Sequence, residues 1–137
     1  MSSKKSINQL AYDIVSCAIE VHKELGPGLL ESIYEEALFM ELRNRNFFVQ
    51  RQLELPVYYK GVECRNPLRI DLVVSEKIIV EVKAIDSVHP IHEAQLLTYM
   101  KLADIPKGLL INFNVTNITK EGLKPMVNEL FRKLPES

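Results

Sequence analysis

The chain has 137 residues, 47% apolar and 26% charged, and a formal net charge of −1. That length suits one domain with one core, 1–137 with a polar tail at 1–5, and the mild acidity argues against a tight, non-specific duplex binder acting as a lone protomer. No run is long enough to cross a bilayer and no charged-then-apolar leader opens the chain. Cys17 and Cys64 lack CxxC spacing, so a cytoplasmic protein with free thiols and no membrane partner is expected.

Ser6 is the expected N-cap of a first helix. Ile7, Leu10, Ile14, Ala18, Val21 and Leu25 follow the i, i+3, i+4, i+7 pattern of one apolar face, and Gly26-Pro27 ends it. His22 at the rim of that face reads as a packed histidine rather than a ligand. A second helix opens in Gly28–Tyr34 and runs to about Asn46, with Leu30, Ile33, Tyr34, Ala37, Leu38 and Leu42 as its buried stripe. Periodicity alone favours Glu31, in its first turn, as a complement to the helix dipole.

From Phe48 to Tyr59 the period changes to two. Val49, Leu53, Leu55, Val57 and Tyr59 share a face to which Arg51 is an exception, and Pro56 marks an edge or a bulge. Lys60-Gly61 turns the chain, Val62–Arg65 pairs back briefly, and Asn66-Pro67 leads into Leu68–Ala84.

That stretch is two β-branched, apolar runs around Ser75-Glu76-Lys77, a hairpin signal. With Val74 facing Ile78, Asp71 falls opposite Glu81 and Arg69 opposite Lys83. One face then carries Leu68, Ile70, Leu72, Val74, Ile78, Val80, Val82 and Ala84. The other carries Arg69, Asp71, Val73, Ile79, Glu81 and Lys83. Two acids placed directly opposite repel unless a proton or cation intervenes, so a metal site and an ordinary solvated face stand level on the hairpin alone.

Pro90 suits the N1 position of a third helix, Pro90 to Ala103, with Ile91, Ala94, Leu97 and Leu102 as its packing face. His92, Gln95 and Tyr99 share a stripe, so Gln95 and Tyr99 can address one ligand. His89 and His92 have no Cys or third His at zinc spacing. Gly108–Phe113 reads as a strand buried on both faces that enters the sheet beside the hairpin by a crossover. Gly122–Val127 is a candidate last strand and Asn128–Leu134 a terminal helical turn.

Asp71 followed by Glu81-Val82-Lys83 resembles the D…(D/E)xK signature of the PD-(D/E)XK nuclease superfamily. Gln95-x-x-x-Tyr99 is similar to the added motif of its RecB-type exonuclease branch. Gly28-x-x-Glu31-x-x-Tyr34, with HEAQLLTYMKL and GLLINFNV, resembles the small GxxExxY proteins, and the likeness covers Gly26 to Asn128. Ile70 stands where the superfamily's name implies a proline.

The resemblance implies an α/β (α+β), restriction-endonuclease-like core: a central mixed β-sheet flanked by helices, in the order ααβββαβ. It implies Mg2+-dependent hydrolysis of phosphodiester bonds in nucleic acid, DNA foremost, with Mn2+ able to substitute. Asp71 and Glu81 become metal ligands with the Val82 carbonyl, and Glu31 reaches in as a further ligand or water holder. Lys83 orients or deprotonates the attacking water or stabilises the phosphate's charge, while Gln95 and Tyr99 line the site. Two other functions stay open on the same fold: a non-catalytic nucleic-acid or protein binding module, and a phosphohydrolase of small nucleotides. A homo-oligomer pairing along the Phe48–Tyr59 edge, or a protein partner, would pool basic residues.

Overall fold

In the computed structural model, which describes residues 2–137, the first helix, α1, spans Lys4–Leu25. Its N-cap is Ser3 and not Ser6, because the two serines form a reciprocal box. The Ser3 hydroxyl accepts from Ser6 N–H at 3.0 Å and the Ser6 hydroxyl accepts from Ser3 N–H at 2.9 Å. Lys4 and Lys5, expected in the tail, are therefore helical. Their N–H groups donate to the carbonyls of Pro135 and Glu136 at 2.8 and 3.0 Å.

The chain continues through α2 (Glu31–Asn44), β1 (Val49–Leu55), β2 (Tyr58–Tyr59), β3 (Val62–Glu63), β4 (Leu68–Val74) and β5 (Ile78–Lys83). It ends with α3 (Pro90–Ala103), β6 (Lys107–Asn112), α4 (Ile118–Glu121), β7 (Leu123–Val127) and α5 (Glu129–Arg132). Five strands form one mixed sheet in the order β1-β4-β5-β6-β7, and β2 and β3 make a separate two-stranded ribbon. β5 and β6 run parallel, joined over the sheet by α3, and the other neighbours are antiparallel. This is the helix-flanked mixed sheet expected from sequence.

The β4–β5 turn closes with Val74 opposite Ile78. Lys77 N–H donates to the Val74 carbonyl at 3.0 Å, with Ser75 and Glu76 both left-handed at φ 52° and 58°. α1 and α2 cover one face of the sheet, packing Ile14, Cys17, Leu38 and Leu42 on Leu72, Val74, Val80 and Val82. α3 covers the other, packing Leu96, Tyr99 and Met100 on Val73, Ile79 and Leu110. α3 comes this close because β6 presents Gly108 beneath it, where an added Cβ would lie 2.8 Å from Leu96 Cδ1 and Met100 Sδ.

Two helix faces differ from expectation. Leu30 is 70% exposed and serves as the N-cap position of α2, and Ile33 is also exposed, so the buried stripe is Tyr34, Glu35, Leu38 and Leu42. On α3, Ile91, Leu97 and Leu102 are exposed while Leu96, Tyr99 and Met100 point inward. Apolar residues ring α3, so two stripes fit its periodicity, and the sheet selects the i, i+3, i+4 stripe of Leu96, Tyr99 and Met100.

The third difference shapes the molecule. The β1–β4 ladder runs from Val49↔Val74 to Arg51↔Leu72, then resumes at Leu53↔Ile70 and ends at Leu55↔Leu68. Gln52 and Asp71 face each other at the skipped step, and Gln52 is left-handed at φ 52°. Beyond this step both strands reverse their faces. Leu53, Leu55, Leu68 and Ile70 pack in the α3 layer, whereas Val49, Leu72 and Val74 pack in the α1–α2 layer. Leu68 and Ile70 therefore leave the apolar face assigned to them. Arg51 is no exception to its face: the reversal one residue later moves Leu53 and Leu55 instead.

Candidate active site

β4 and β5 pair through Val74↔Ile78, Val73↔Ile79 and Leu72↔Val80, and the ladder stops there. Carried one step further, the same register sets Asp71 against Glu81. Two side chains take over where the backbone bonds end. Asp71 Oδ2 accepts from Val82 N–H at 2.8 Å, and Glu81 Oε2 accepts from Asp71 N–H at 2.9 Å. Each acid thus grips the opposite strand by one oxygen through a hydrogen bond, and the second oxygen of each is the one available to a cation. The expected Arg69–Lys83 pairing does not form, because the ladder has ended. Arg69 turns to Glu54 across the β1–β4 pair, 3.4 Å away.

Glu81 is only 4% exposed. Burial, then the charge of Asp71, pushes its carboxyl up to about 8 against the opposing pull of Asp71 N–H and Lys83. Burial also raises Asp71, opposed by Val82 N–H and aided by the charge and hydrogen bond of the Glu35 carboxyl and by the charge of Glu31. Two carboxylates that both resist ionisation favour a cation between them. An all-oxygen donor pair fits a hard divalent ion such as Mg2+ or Mn2+, which keeps several waters. Among the described residues no three His, Cys, Asp or Glu side chains gather tightly enough to hold a metal on their own.

Lys83 is half-buried at the end of β5, on the same face as Ile79 and Glu81 by strand alternation, and its charge reaches Glu81. α3 lies over that face and brings Tyr99 to it. Burial and then the Glu81 charge raise the Tyr99 phenol. Gln95, exposed one turn earlier, donates from Nε2 to the Tyr99 hydroxyl at 2.8 Å. Glu31, exposed as the first residue of α2, acts on Asp71 through its charge. Val82 supplies its N–H to Asp71.

The histidines are occupied elsewhere. His89 N–H donates to His92 Nδ1 at 3.0 Å at the start of α3, and His22 Nε2 is 2.8 Å from the Val115 carbonyl. Tyr34 is structural in its contacts. Its ring stacks on Phe113 with centroids 4.7 Å apart, and its hydroxyl donates to the Gly26 carbonyl and accepts from Leu29 N–H. Gly28, at φ 98°, gives the loop beneath it the left-handed step that a side chain disfavours. Tyr34 and Gly28 thus fix the loop that leads into α2.

Glu35 was not anticipated. It is buried on α2 and accepts from Arg51 Nε and from Gln52 Nε2, both at 2.8 Å. Gln52 Nε2 also reaches Asp71 Oδ1 at 3.5 Å. Two sequence signals pointed here: Glu35 interrupts the stripe of Tyr34, Leu38 and Leu42, and it sits one helical turn after Glu31.

A family model for the PD-(D/E)XK nuclease superfamily matches residues 8–125. Neither a curated protein nor a solved structure matches the chain. The matched residues run from the first helix into the last strand and include Asp71, Glu81 and Lys83 at the open end of the central hairpin. The chain belongs to the PD-(D/E)XK nuclease superfamily.

Proposed function

We propose that the protein is a Mg2+-dependent nuclease that hydrolyses phosphodiester bonds of DNA. Mn2+ is able to replace Mg2+, and Asp71, Glu81, Lys83, Gln95, Tyr99 and Glu31 are the working residues. The observation that carries this reading is the crossed grip of Asp71 and Glu81, which leaves one oxygen of each acid for a cation beside an ammonium group. Membership of the superfamily supports a nucleic-acid substrate and a divalent metal.

Asp71, Glu81 and the Val82 carbonyl would hold the ion, with Glu31 steadying a water nearby. When bound, the ion supplies Lewis acidity toward the phosphate and makes water easier to deprotonate. Lys83 holds a non-bridging phosphate oxygen and stabilises the charge that grows there as a water oxygen bonds to phosphorus. The ester P–O bond breaks, the water's proton passes to a neighbouring base, and the departing oxygen takes a proton from solvent. Because Tyr99 accepts from Gln95, its own hydroxyl proton is free to donate to the phosphate and orient it.

The test is cleavage of plasmid and oligonucleotide DNA by the purified protein with Mg2+ or Mn2+. Asp71→Asn and Lys83→Ala should each slow cleavage about 100-fold or more. The same assay with RNA and with nucleoside triphosphates separates substrate classes. If the parent cleaves none of these with either metal, it is not a nuclease.

A further inference from the structure

The β1–β4 reversal and the approach to Asp71 meet in one residue. Arg51 and Gln52 are neighbours that a regular strand would send to opposite faces, yet both donate to Glu35. They do so because Gln52 is left-handed, and that backbone step coincides with the missing Gln52–Asp71 rung of the ladder. A residue with a side chain adopts this conformation only where its surroundings hold it there.

The amide has a definite place as well. Its shorter contact, 2.8 Å, is to Glu35 Oε1, which Arg51 steadies from Oε2 at 2.8 Å. Its longer contact, 3.5 Å, is to Asp71 Oδ1, the oxygen not engaged by Val82 N–H. Gln52 is exposed, so packing does not fix it. The geometry points to Gln52 as the positioning residue for Asp71. Its left-handed backbone takes Asp71 out of the ladder, and its amide, tethered by Glu35, keeps Oδ1 turned toward the cation that Asp71 and Glu81 share.

This inference rests on the metal-site reading above. Outer groups that orient a ligand typically alter metal affinity by about 10–100-fold when removed. The two parts of the role separate by substitution. Gln52→Gly keeps the left-handed step and relieves its strain, but deletes the amide. Gln52→Asn also tolerates the left-handed region and holds an amide one methylene short of both partners.

The experiment is Mn2+ titration by calorimetry of the full chain, its Gln52→Gly and Gln52→Asn variants, and thermal melts of the metal-free proteins. Both variants should bind Mn2+ about tenfold more weakly than the parent. In the Gln52→Gly protein the lost amide bond to Glu35 is offset by relief of the left-handed step, so it should melt within about 5 °C of the parent. A larger fall alongside weaker Mn2+ binding would mark the glutamine as merely structural and overturn the assignment. Parent-like Mn2+ binding in either folded variant would overturn the assignment and leave the metal site standing. A parent that binds no Mn2+ would overturn the metal site and this role with it.

Discussion

At Glu81 an ionised carboxylate has given up water and gained the Asp71 charge in exchange. Its folded pKa, about 8, lies above the ordinary 4.5, so between those values the folded chain holds a proton that the unfolded chain releases. The stabilisation this provides is complete below the unfolded value and is lost as pH rises through the folded one. Metal-free protein should therefore melt highest near pH 5 and progressively lower toward pH 9. Glu81→Gln keeps an oxygen for Asp71 N–H without the charge. It should flatten that slope and stabilise the protein by roughly 2 kcal/mol at pH 8.5, read by urea unfolding in a chelator. Added Mg2+ should stabilise the parent at pH 8.5 and leave the Glu81→Gln protein nearly unmoved. The facing of Asp71 and Glu81 was legible because one turn fixed the register between their strands. Glu35 was not: its carboxyl acts on Asp71 both directly and through Gln52, whose left-handed backbone no alternation rule for strands foresees.

Among the elements, the β4–β5 turn sets the register on which the acid pair depends, and two side-chain-bearing residues hold left-handed conformations in it. Glu76→Gly should relieve one of them and raise stability by about 1 kcal/mol, seen as a higher urea midpoint with an unchanged slope. Gly108→Ala tests the seat of α3. The new Cβ would meet Leu96 and Met100 at 2.8 Å, so a loss of about 1–3 kcal/mol is expected, with Tyr99 displaced from Glu81. Period and turn chemistry revealed α1, the hairpin and the buried strand β6. They did not reveal which side of α3 faces inward, since its apolar residues lie all round. The face reversal in β1 and β4 also stayed hidden, because both strands change together and each half alone alternates normally.

Across the whole molecule, the two ends of the chain meet. The Pro135 and Glu136 carbonyls take the N–H groups of Lys4 and Lys5, and the Lys4 ammonium lies 3.0 Å from the Glu136 carboxylate. Deleting residues 135–137 should leave those first-turn donors to water and lower stability by about 1–2 kcal/mol, measured by thermal melting against the full chain. No described helix is long and apolar enough to cross a membrane. The bend at Gln52 also governs how the outermost strand can meet other molecules. β1 borders only β4, and its free rim is divided into Val49–Arg51 and Leu53–Leu55, with opposite facing on either side. An incoming strand laid along that rim could match about three residues before its inward side chains pointed the wrong way. The face reversal beside Asp71 thereby denies neighbouring copies a long flat template for amyloid-like stacking.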